Sequence, residues 1–562
     1  MTNESELASF LAPTALLAGG PRRFNLAIER LLLHLGFDDV RIIDGANDGG
    51  GDILAHRGDD SFVFQCKWTT ATTIGRDAVD EVEAARARYG SERAVVVTNA
   101  APDSAAAKRA TALTSVGARI EFWNGGHLRR LAQAIPLVVP QPPKPRPYQM
   151  TAIDALEADL AKSRRALLVL ATGLGKTVVG GEVIRRHLLE HPKDDVLVVA
   201  AMKDLVQQLE RAVWRHLPKT VATQVLNGDQ KPASLTGVTF ATVESAFVAA
   251  EAGYRPALIM VDESHHVAED GFFQRLLLLC SESIQFGVTA TPWRGDRYDI
   301  SSHFGQPSFR MGIADGMARG WLAQVDYRVL VDNVDWDIVR DASERGYTVK
   351  ELNTKLFLPQ RDEAVIDKLW ETWTSTPEPR AILFCKTVQH AEEMAAALAR
   401  YSPNWRNARS LHTDMPKRER EVALSDFRGG KIPILAAVDI LNEGVDVPDV
   451  NILAFLRVTH SRRIFVQQLG RGLRLKEGLK ERVVVLDFVT DVRRLAALAT
   501  LRRDLDAARG PSETLMLDSA ARIVFSDANV GTLMDAWLRD AADVETAMDD
   551  AKLQFPDPMS PA

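Results

Sequence analysis

The sequence predicts an α/β protein of several domains, in which the main sheets are parallel and covered by helices. Short continuous apolar runs such as Ala166–Leu170 and Val196–Ala200 alternate with amphipathic segments, as is typical of strands that are buried on both faces. Several of these runs end in glycine-rich or acidic segments that suit ligand binding. At 562 residues the chain is too long for one hydrophobic core, so we expect three or four domains.

A proline-rich run marks the clearest domain boundary. Six prolines lie between residues 136 and 147, and such a run favours an extended, semi-rigid spacer. The later boundaries are placed between successive groups of strands and helices. The resulting prediction is a first domain at 1–135, a linker at 136–147, two larger α/β domains at 148–320 and 321–500, and a short helical C-terminal extension at 501–562.

The composition is that of a globular protein, with 46% hydrophobic and 25% charged residues. No apolar run reaches the ~18 residues of a membrane span, and Glu4 and Glu6 interrupt any secretion signal. Three widely separated cysteines, Cys66, Cys280 and Cys385, form neither a metal cluster nor a disulfide framework. We therefore expect a cytoplasmic protein without a membrane partner. Because the net charge is −7, a nucleic acid would have to bind in a local basic cleft.

Three polar side chains of the first domain are predicted to lie together. In Ser61–Trp68 the large apolar side chains alternate with Val63, Gln65 and Lys67, so Gln65 and Lys67 project side by side from one strand. A hairpin with the preceding strand brings Asp52 close to both. This set suits Mg²⁺-assisted phosphodiester hydrolysis, in which Asp52 and Gln65 bind the metal and Lys67 orients or deprotonates the attacking water.

This segment resembles the Mrr-like branch of the PD-(D/E)xK restriction endonucleases. The resemblance covers roughly Phe24 to Leu131 and includes the Gly-Gly-Gly-Asp turn that ends at Asp52 and the triplet Gln-Cys-Lys. It implies a restriction-endonuclease-like α/β domain that cuts DNA with Mg²⁺. Gln65 stands where most nucleases of the superfamily have Glu, and Gln is a recurrent variant at this position in the Mrr-like branch. Glu29 on the first helix is a candidate further carboxylate. The alternative is a descendant that only binds DNA, with Lys67 and Asp52 paired structurally.

The run Ala171–Thr177, Ala-Thr-Gly-Leu-Gly-Lys-Thr, lies between an apolar strand and a helix. Its glycines let the backbone curl so that successive N–H groups point at phosphate oxygens, and the helix start adds partial positive charge. Lys176 can reach the β- and γ-phosphates, and Thr177 can offer its hydroxyl to Mg²⁺. Leu170 stands where the strict pattern has glycine. The residues expected to bind ATP in this loop are Thr172, Gly173, Leu174, Gly175, Lys176 and Thr177.

Another apolar strand, Leu258–Val261, is followed by Asp262-Glu-Ser-His. Ligands of open parallel sheets bind at the carboxyl ends of strands. We therefore expect Asp262 to hold Mg²⁺ and Glu263 to align the attacking water. A lone Asp-Glu pair is often only a helix cap, but its distance behind a phosphate loop favours the catalytic interpretation. His265 is interpreted as the coupling to the next motif, Gly287-Val-Thr-Ala-Thr-Pro.

The third predicted domain carries two further motifs. Gly444 and Asp446 lie in Leu-Asn-Glu-Gly-Val-Asp-Val-Pro, where the glycine lets a nucleic-acid strand approach and the aspartate can bond a ribose. The later run Gln-Gln-Leu-Gly-Arg-Gly-Leu-Arg places Gln467, Arg471 and Arg474 on a predicted helix. Its two arginines, at i and i+3, share one face and can reach a γ-phosphate across a cleft.

This ordered set of motifs resembles the superfamily-two helicases of the DEAD/DEAH type, including restriction subunits of types I and III. The resemblance spans about Arg146 to Asp487 and implies two RecA-like domains with ATP between them. Gln149 matches the motif that reads the adenine edge, and the arginine pair matches the residues that sense the γ-phosphate. The residues that the resemblance assigns to nucleic-acid contact or to its coupling with the nucleotide are Thr242, Thr289, Thr291, Arg294 and Gly444.

The resulting hypothesis is an ATP-dependent DNA helicase or translocase fused to a Mg²⁺-dependent endonuclease. Such a fusion resembles restriction and phage-defence enzymes, with DNA repair a further setting, so DNA is preferred over RNA and other defence proteins are possible partners. Two alternatives stay open. One is a DNA-stimulated remodeller whose first domain only binds DNA, and the other is a nucleotide-gated clamp or scaffold with little turnover.

Overall fold

The structure is a computed structural model, and it describes residues 20–43, 50–138, 144–218, 221–232, 234–268, 271–290, 300–330, 347–348, 362–438, 450–456, 482–488, 521–525 and 552–553. Within these residues the chain forms one five-stranded and two seven-stranded sheets, with two small two-stranded ribbons. The predicted α/β class is confirmed. Among the described residues, no helix has the length and apolarity that a membrane crossing requires.

The N-terminal domain (residues 20–138) is built on the five-stranded sheet, in the order β1-β2-β3-β5-β7. Its first three strands are antiparallel, and β3, β5 and β7 run parallel. The elements are α1 (Gly20–His34), β1 (Asp38–Ile42), β2 (Ile53–Arg57), β3 (Asp60–Lys67), β4 (Thr73–Ile74), α2 (Asp77–Tyr89), β5 (Arg93–Thr98), β6 (Ala101–Pro102), α3 (Ser104–Ser115), β7 (Arg119–Trp123) and α4 (Gly125–Val138).

The alternation predicted for the third strand is observed. Phe62 and Phe64 pack with Phe37 and Trp123 in one hydrophobic cluster, whereas Val63 packs in another cluster on the opposite face. The helix α4 continues three residues beyond position 135, where the proline-rich linker was expected to begin. Helical spacing explains this difference, because α4 buries Leu128, Ala132 and Ile135 in the domain core.

The central domain (residues 147–318) has a seven-stranded parallel sheet in the order β10-β11-β9-β12-β13-β8-β14. Leu167 and Val169 lie in one hydrophobic cluster, and Leu168 and Leu170 lie in another, so the strand is buried on both faces. The elements are α5 (Pro147–Ser163), β8 (Arg165–Leu170), α6 (Lys176–Glu190), β9 (Val196–Ala200), α7 (Lys203–Trp214), β10 (Thr223–Leu226), β11 (Val238–Thr242), α8 (Val243–Glu251), β12 (Leu258–Asp262), the 3₁₀ turn Ser264–His266, α9 (Phe272–Leu279), β13 (Ile284–Thr289), α10 (Ser301–Phe304), β14 (Pro307–Met311) and α11 (Ile313–Ala318).

The third domain, from residue 324 onward, repeats this architecture with a parallel sheet in the order β18-β19-β17-β20-β21-β15-β22. Strand for strand, this order corresponds to that of the central domain. The elements are β15 (Gln324–Val329), β16 (Tyr347–Thr348), α12 (Asp362–Ser375), β17 (Ala381–Phe384), α13 (Val388–Tyr401), the 3₁₀ turn Pro403–Trp405, β18 (Arg409–His412), α14 (Lys417–Arg428), β19 (Ile434–Val438), β20 (Ile452–Phe455), β21 (Arg482–Asp487), β22 (Ala521–Phe525) and β23 (Lys552–Leu553).

The structure has a strand within residues 501–562, where the sequence predicts a helical extension. The segment Ala521–Phe525 adds to the third sheet, parallel to β15 and in register from Val325 to Val329. Its sequence Ala-Arg-Ile-Val-Phe has the apolar, β-branched residues of a strand. Because β15 would otherwise form the sheet edge, the added strand satisfies the exposed backbone groups of β15.

The N-terminal domain is docked on the central domain through a buried ion pair. Arg30 of α1 donates to the Glu210 carboxylate of α7 from Nε at 2.8 Å, and also from Nη2. The same Nη2 donates to the Thr223 carbonyl at 2.7 Å. Next to this pair, the His34 ring stacks on Trp214 with ring centroids 4.4 Å apart and 9° between the planes. Trp214 thereby joins the hydrophobic core of the N-terminal domain.

The N-terminal domain also contacts the third domain. Arg41 donates to Glu421 at 2.5 Å, and Arg428 lies 3.3 Å from the Asp39 carboxylate. The end of α2 is held in the same way, since Lys431 donates to the carbonyl of Tyr89 at 2.8 Å and Arg418 donates to its hydroxyl. The N-terminal domain therefore contacts both seven-stranded domains at once.

The ion pair between Arg30 and Glu210 changes the pKa of the Glu210 carboxyl group. Burial alone would raise the pKa of the Glu210 carboxyl, but the charges of Arg30 and His34 outweigh it and lower the pKa from 4.5 to about 2. The side chains of Arg30 and Glu210 are only 9% and 2% exposed, so removing one partner leaves a buried charge without compensation. This contact is expected to resist separation at neutral pH.

We predict that Glu210→Gln lowers the free energy of unfolding by on the order of 3 kcal/mol at pH 7. Because the pKa of Glu210 is lower in the folded protein, its stabilisation is complete above about pH 4.5 and is lost as the pH falls toward about 2. Urea unfolding of both proteins at several pH values measures this. Glu251→Gln, at an exposed position, is the control. A stability difference that stays constant from pH 6 to pH 3 would contradict the role given to the ion pair.

Candidate active sites

The phosphate loop lies where the sequence predicts it, between the end of β8 and the start of α6. Gly173 and Gly175 have φ values of 91° and 83°, a left-handed conformation that favours glycine. The turn allows Lys176 to begin the helix directly behind the loop. The first N–H groups of α6 therefore face the position that an anion would occupy.

Two consecutive carboxylates face this loop from β12. The strands β12, β13 and β8 are adjacent and parallel, so their carboxyl ends meet at one edge of the sheet. There, the Nζ atom of Lys176 lies 3.0 Å from Oε1 of Glu263. Asp262, at the end of β12, is 7% exposed. The structure thus brings together Lys176, Asp262 and Glu263, as expected.

Glu263 is held in an unusual conformation. Its φ of 47° lies in the left-handed region, which is costly for a residue with a side chain and is often found at functional sites. The His265 ring lies 3.2 Å from the second carboxylate oxygen of Glu263 and 2.9 Å from the hydroxyl of Thr289. Glu263 is therefore linked to Thr289 through a fully buried histidine.

The environment shifts the pKa values of Asp262 and Glu263 in opposite directions. Burial, reinforced by the adjacent Glu263 charge, raises the pKa of Asp262 to about 7. Burial also acts to raise the pKa of Glu263, but the Lys176 ammonium and the His265 ring outweigh it and hold this pKa well below its usual value. The pKa of Glu263 is therefore the lower of the two.

Gln149 and Tyr148 brace the phosphate loop from α5. The Gln149 amide donates to the carbonyl of Leu174 at 2.9 Å, and the Tyr148 hydroxyl donates to the same carbonyl at 2.8 Å. The amide oxygen of Gln149 accepts from the backbone N–H of Arg146 at 2.8 Å. Both ends of the side chain are thus engaged within the protein. That Gln149 reads the adenine edge stays a prediction.

The other predicted residues divide into two groups. Thr242 precedes α8 and donates to Ser245 at 3.1 Å, and Thr289 is 0% exposed against His265. Nucleic-acid contacts at both stay predictions, and the burial of Thr289 favours an indirect role through His265. The remaining predicted residues lie outside the described part of the chain: Thr291, Arg294, Gly444, Asp446, Gln467, Arg471 and Arg474.

The second candidate site lies in the N-terminal domain, and the predicted hairpin brings its residues together. Ile53 pairs with Phe64 in the antiparallel ladder, and the backbone N–H of Cys66 donates to Oδ2 of Asp52 at 2.6 Å. Gln65 is 5% exposed, and its amide oxygen has no hydrogen-bond partner. Asp52 and Gln65 therefore lie side by side in a buried setting.

These donors fit a hard divalent cation. Among the described residues, no group of three His, Cys, Asp or Glu side chains could hold a metal by itself. Mg²⁺ does not require such a group, because it is usually bound through one or two carboxylates plus waters and substrate phosphates. A buried amide oxygen without a partner costs free energy, and a cation beside Asp52 would satisfy it.

Two contacts at these sites were not predicted. Lys67 forms an ion pair with Glu81 of α2 rather than with Asp52. Glu29, a candidate ligand, instead accepts from Gln207 of the central domain at 3.2 Å. The pattern of buried residues Ala78, Val82 and Ala85 predicts an amphipathic helix that carries Glu81. That pattern does not reveal that Glu81 pairs with Lys67.

Comparison with known families agrees with this arrangement. Residues 16–132 match the family described as "Restriction endonuclease", and residues 142–294 match "Type III restriction enzyme, res subunit". Residues 361–476 match "Helicase conserved C-terminal domain". The first domain thus matches a restriction-endonuclease model, and the next two domains match models of a restriction-enzyme res subunit and of a helicase C-terminal domain. Members of these families use ATP and a divalent metal ion.

Individual relatives match about three-fifths of the chain. A putative mitochondrial ATP-dependent helicase, irc3 of Schizosaccharomyces pombe, is 29% identical over 63% of this chain and 58% of its own. The type I restriction enzyme EcoAI endonuclease subunit of Escherichia coli is 26% identical over 61% of this chain and 46% of its own. The chain thus spans about half the length of these relatives.

A solved structure shows the same fold over most of the chain. The ATP-dependent type ISP restriction-modification enzyme LlaBIII, bound to DNA, superposes with a TM-score of 0.51 and 18% identity. The match covers 91% of this chain and 41% of LlaBIII. At this identity the match shows a shared fold.

We predict that Gln149→Ala weakens ATP binding about five- to tenfold, because the loop carbonyl of Leu174 loses one of its two supporting donors. Equilibrium binding of fluorescent ATP and GTP analogues measures this, with Thr151→Ala on the exposed face of α5 as the control. A loss for both nucleotides reports support of the loop, and a loss confined to ATP reports adenine recognition. Unchanged binding of both would contradict either role.

Proposed function

We propose that this chain is an ATP-driven DNA translocase whose N-terminal domain is a Mg²⁺-dependent endonuclease acting in restriction, phage defence or DNA repair. The observation that carries the proposal is that both centres are assembled in domains joined by a buried ion pair. Lys176 and Glu263 face each other in the ATP site, and Asp52 and Gln65 lie together in the nuclease site. The pair Arg30–Glu210 ties one domain to the other.

The ATP site suggests how hydrolysis is switched on. Without nucleotide, Lys176 neutralises Glu263 at 3.0 Å. A bound triphosphate offers Lys176 a stronger anionic partner, which leaves Glu263 ionised and oriented by His265 toward a water molecule. Asp262 and Thr177 would hold the Mg²⁺ ion that neutralises charge on the phosphates. The strained Glu263 backbone presets this geometry at the sheet edge.

Arg471 and Arg474 lie outside the described residues, and on the sequence prediction they would complete this mechanism. An arginine at the γ-phosphate stabilises the charge of phosphoryl transfer and makes hydrolysis depend on closure of the two helicase domains. The link from Glu263 through His265 to Thr289 offers a route by which the nucleotide state reaches the following motif. Cycles of closure and opening would then move the chain along DNA.

The residues of the nuclease site suit two different tasks, which are binding a cation and orienting a water molecule. Asp52 and Gln65 would hold a divalent cation, which supplies Lewis acidity at the scissile phosphate when bound. Lys67 has three N–H donors and no acceptor. With one donor directed at Glu81, the remaining donors suit a water molecule and a phosphate oxygen. This arrangement favours orientation of the water by Lys67.

DNA is the substrate that fits best. The domain that holds Asp52, Gln65 and Lys67 matches a restriction-endonuclease family, and a relative of the chain is named as an endonuclease subunit of a restriction enzyme. Direct docking of the nuclease domain on the motor would keep the cutting site at a fixed place relative to the moving DNA. Further defence proteins are possible partners on the same reasoning.

We predict that Lys67→Ala abolishes nicking of duplex DNA in the presence of Mg²⁺ while DNA-stimulated ATP hydrolysis stays within twofold of the wild-type rate. The reason is that Lys67 lies in the N-terminal sheet and touches no residue of the ATP site. Supercoiled plasmid nicking and a coupled phosphate assay measure the two activities. Lys108→Ala, an exposed lysine of the same domain, is the control. Unaltered nicking would favour a domain that only binds DNA.

We predict that Glu263→Gln lowers ATP hydrolysis by at least about 100-fold and leaves ATP binding intact, because the amide cannot polarise the attacking water. Single-turnover hydrolysis and nucleotide binding measure the two quantities. Glu244→Gln, exposed on α8, serves as the matched substitution. Equal hydrolysis by wild type and Glu263→Gln would instead favour a nucleotide-gated clamp with little turnover.

A further inference from the structure

The nuclease site has one carboxylate fewer than most nucleases of the PD-(D/E)xK superfamily, because Gln65 is neutral. Asp52 contributes one negative charge and Lys67 one positive charge, so these three residues together carry no net charge. A divalent cation is attracted to a site with net negative charge. Some other group is therefore needed to make this site favourable for a cation.

The structure supplies such a group on α2. The Glu81 carboxylate is paired directly with the Lys67 ammonium. The side chains of Glu81 and Lys67 are 43% and 32% exposed, and an ion pair at this exposure contributes little to stability. A purely structural explanation therefore accounts poorly for the pair. Through this pair Glu81 is joined to the strand face that carries Gln65 and Lys67.

The backbone around Asp52 is shaped to bring Glu81 close. A Cβ atom on Gly50 would lie 2.6 Å from the carbonyl oxygen of Glu81, and one on Gly51 would lie 3.2 Å from Cβ of Ala85. Gly50 also has a φ of 84°, which favours glycine. The glycines before Asp52 therefore allow this segment to lie directly against α2 at Glu81.

We propose that Glu81 is a positioning residue of the nuclease site that restores the charge lost at Gln65 and holds the Lys67 ammonium in place. This inference rests on the proposed nuclease function. With Glu81 included, the four side chains carry a net charge of one negative unit, as a site with two carboxylates and a lysine would. In this arrangement the amide oxygen of Gln65, which has no hydrogen-bond partner, would bind the cation. Glu81 supplies the missing negative charge through its ion pair with Lys67.

The test compares metal binding and cleavage in the full-length chain without nucleotide. Binding of Mn²⁺ is followed by the electron paramagnetic resonance signal of the free ion, and the nuclease site is counted as the Mn²⁺ lost in Asp52→Ala. We expect Glu81→Gln to weaken Mn²⁺ binding at this site about tenfold or more and to reduce cleavage in parallel. Glu83→Gln on the same helix, where Glu83 pairs with Arg86, is the matched control and should bind normally.

A second substitution that restores Mn²⁺ affinity would distinguish the proposed role of Glu81 from a purely structural one. In the double variant Gln65→Glu/Glu81→Gln the lost charge returns, so Mn²⁺ affinity should recover to within about threefold of wild type. The maximal cleavage rate should stay reduced, because Lys67 still lacks its partner. A Glu81→Gln variant with unchanged Mn²⁺ affinity and cleavage, or an affinity loss that Gln65→Glu does not restore, overturns the inference and leaves the nuclease function standing. A wild-type chain without this Mn²⁺ site overturns both.

Discussion

The contact between Lys176 and Glu263 is the interaction on which the account of this chain depends. It exists because parallel strands end at the same edge of a sheet, so that the phosphate loop after β8 and the acidic pair after β12 meet. An ammonium paired with a carboxylate in a largely buried setting can exchange that partner for a phosphate. On the proposed function, this exchange is how a triphosphate would release Glu263 from Lys176.

The N-terminal domain depends on this motor for its position. Its buried contact through Arg30 and Glu210 fixes it to the ATP-binding domain, and a second contact reaches the third domain. The helix α2 contacts both the candidate nuclease site and the third domain. Glu81 in its middle touches Lys67, and Tyr89 at its end is held by Lys431. One short element therefore connects the nuclease site with the far helicase domain.

The sequence predicted the features that follow from local pattern. Continuous apolar runs located the central strands β8, β9 and β12. Alternation placed Gln65 and Lys67 on one face because side chains of a strand alternate strictly. The phosphate loop and the acidic pair were found because each follows such a strand at the edge where ligands bind. These inferences need only residue spacing and the geometry of a parallel sheet.

Contacts between distant segments could not be predicted in this way. Arg30 and Glu210 are 180 residues apart, and neither lies in a pattern that names its partner. Similarly, the role of Gln149 in bracing Leu174 depends on how α5 packs on the loop. The strand Ala521–Phe525 was taken as part of a helical extension, because five residues are too few to distinguish a strand from a helix by periodicity.

The most direct test of the central claim is to map cleavage on linear DNA that carries a tightly bound protein roadblock, with and without ATP. If the motor delivers DNA to a nuclease fixed on its surface, cuts should collect within a narrow interval beside the roadblock and only when ATP is hydrolysed. Cuts that are scattered along the DNA and equally frequent without ATP would contradict the claim.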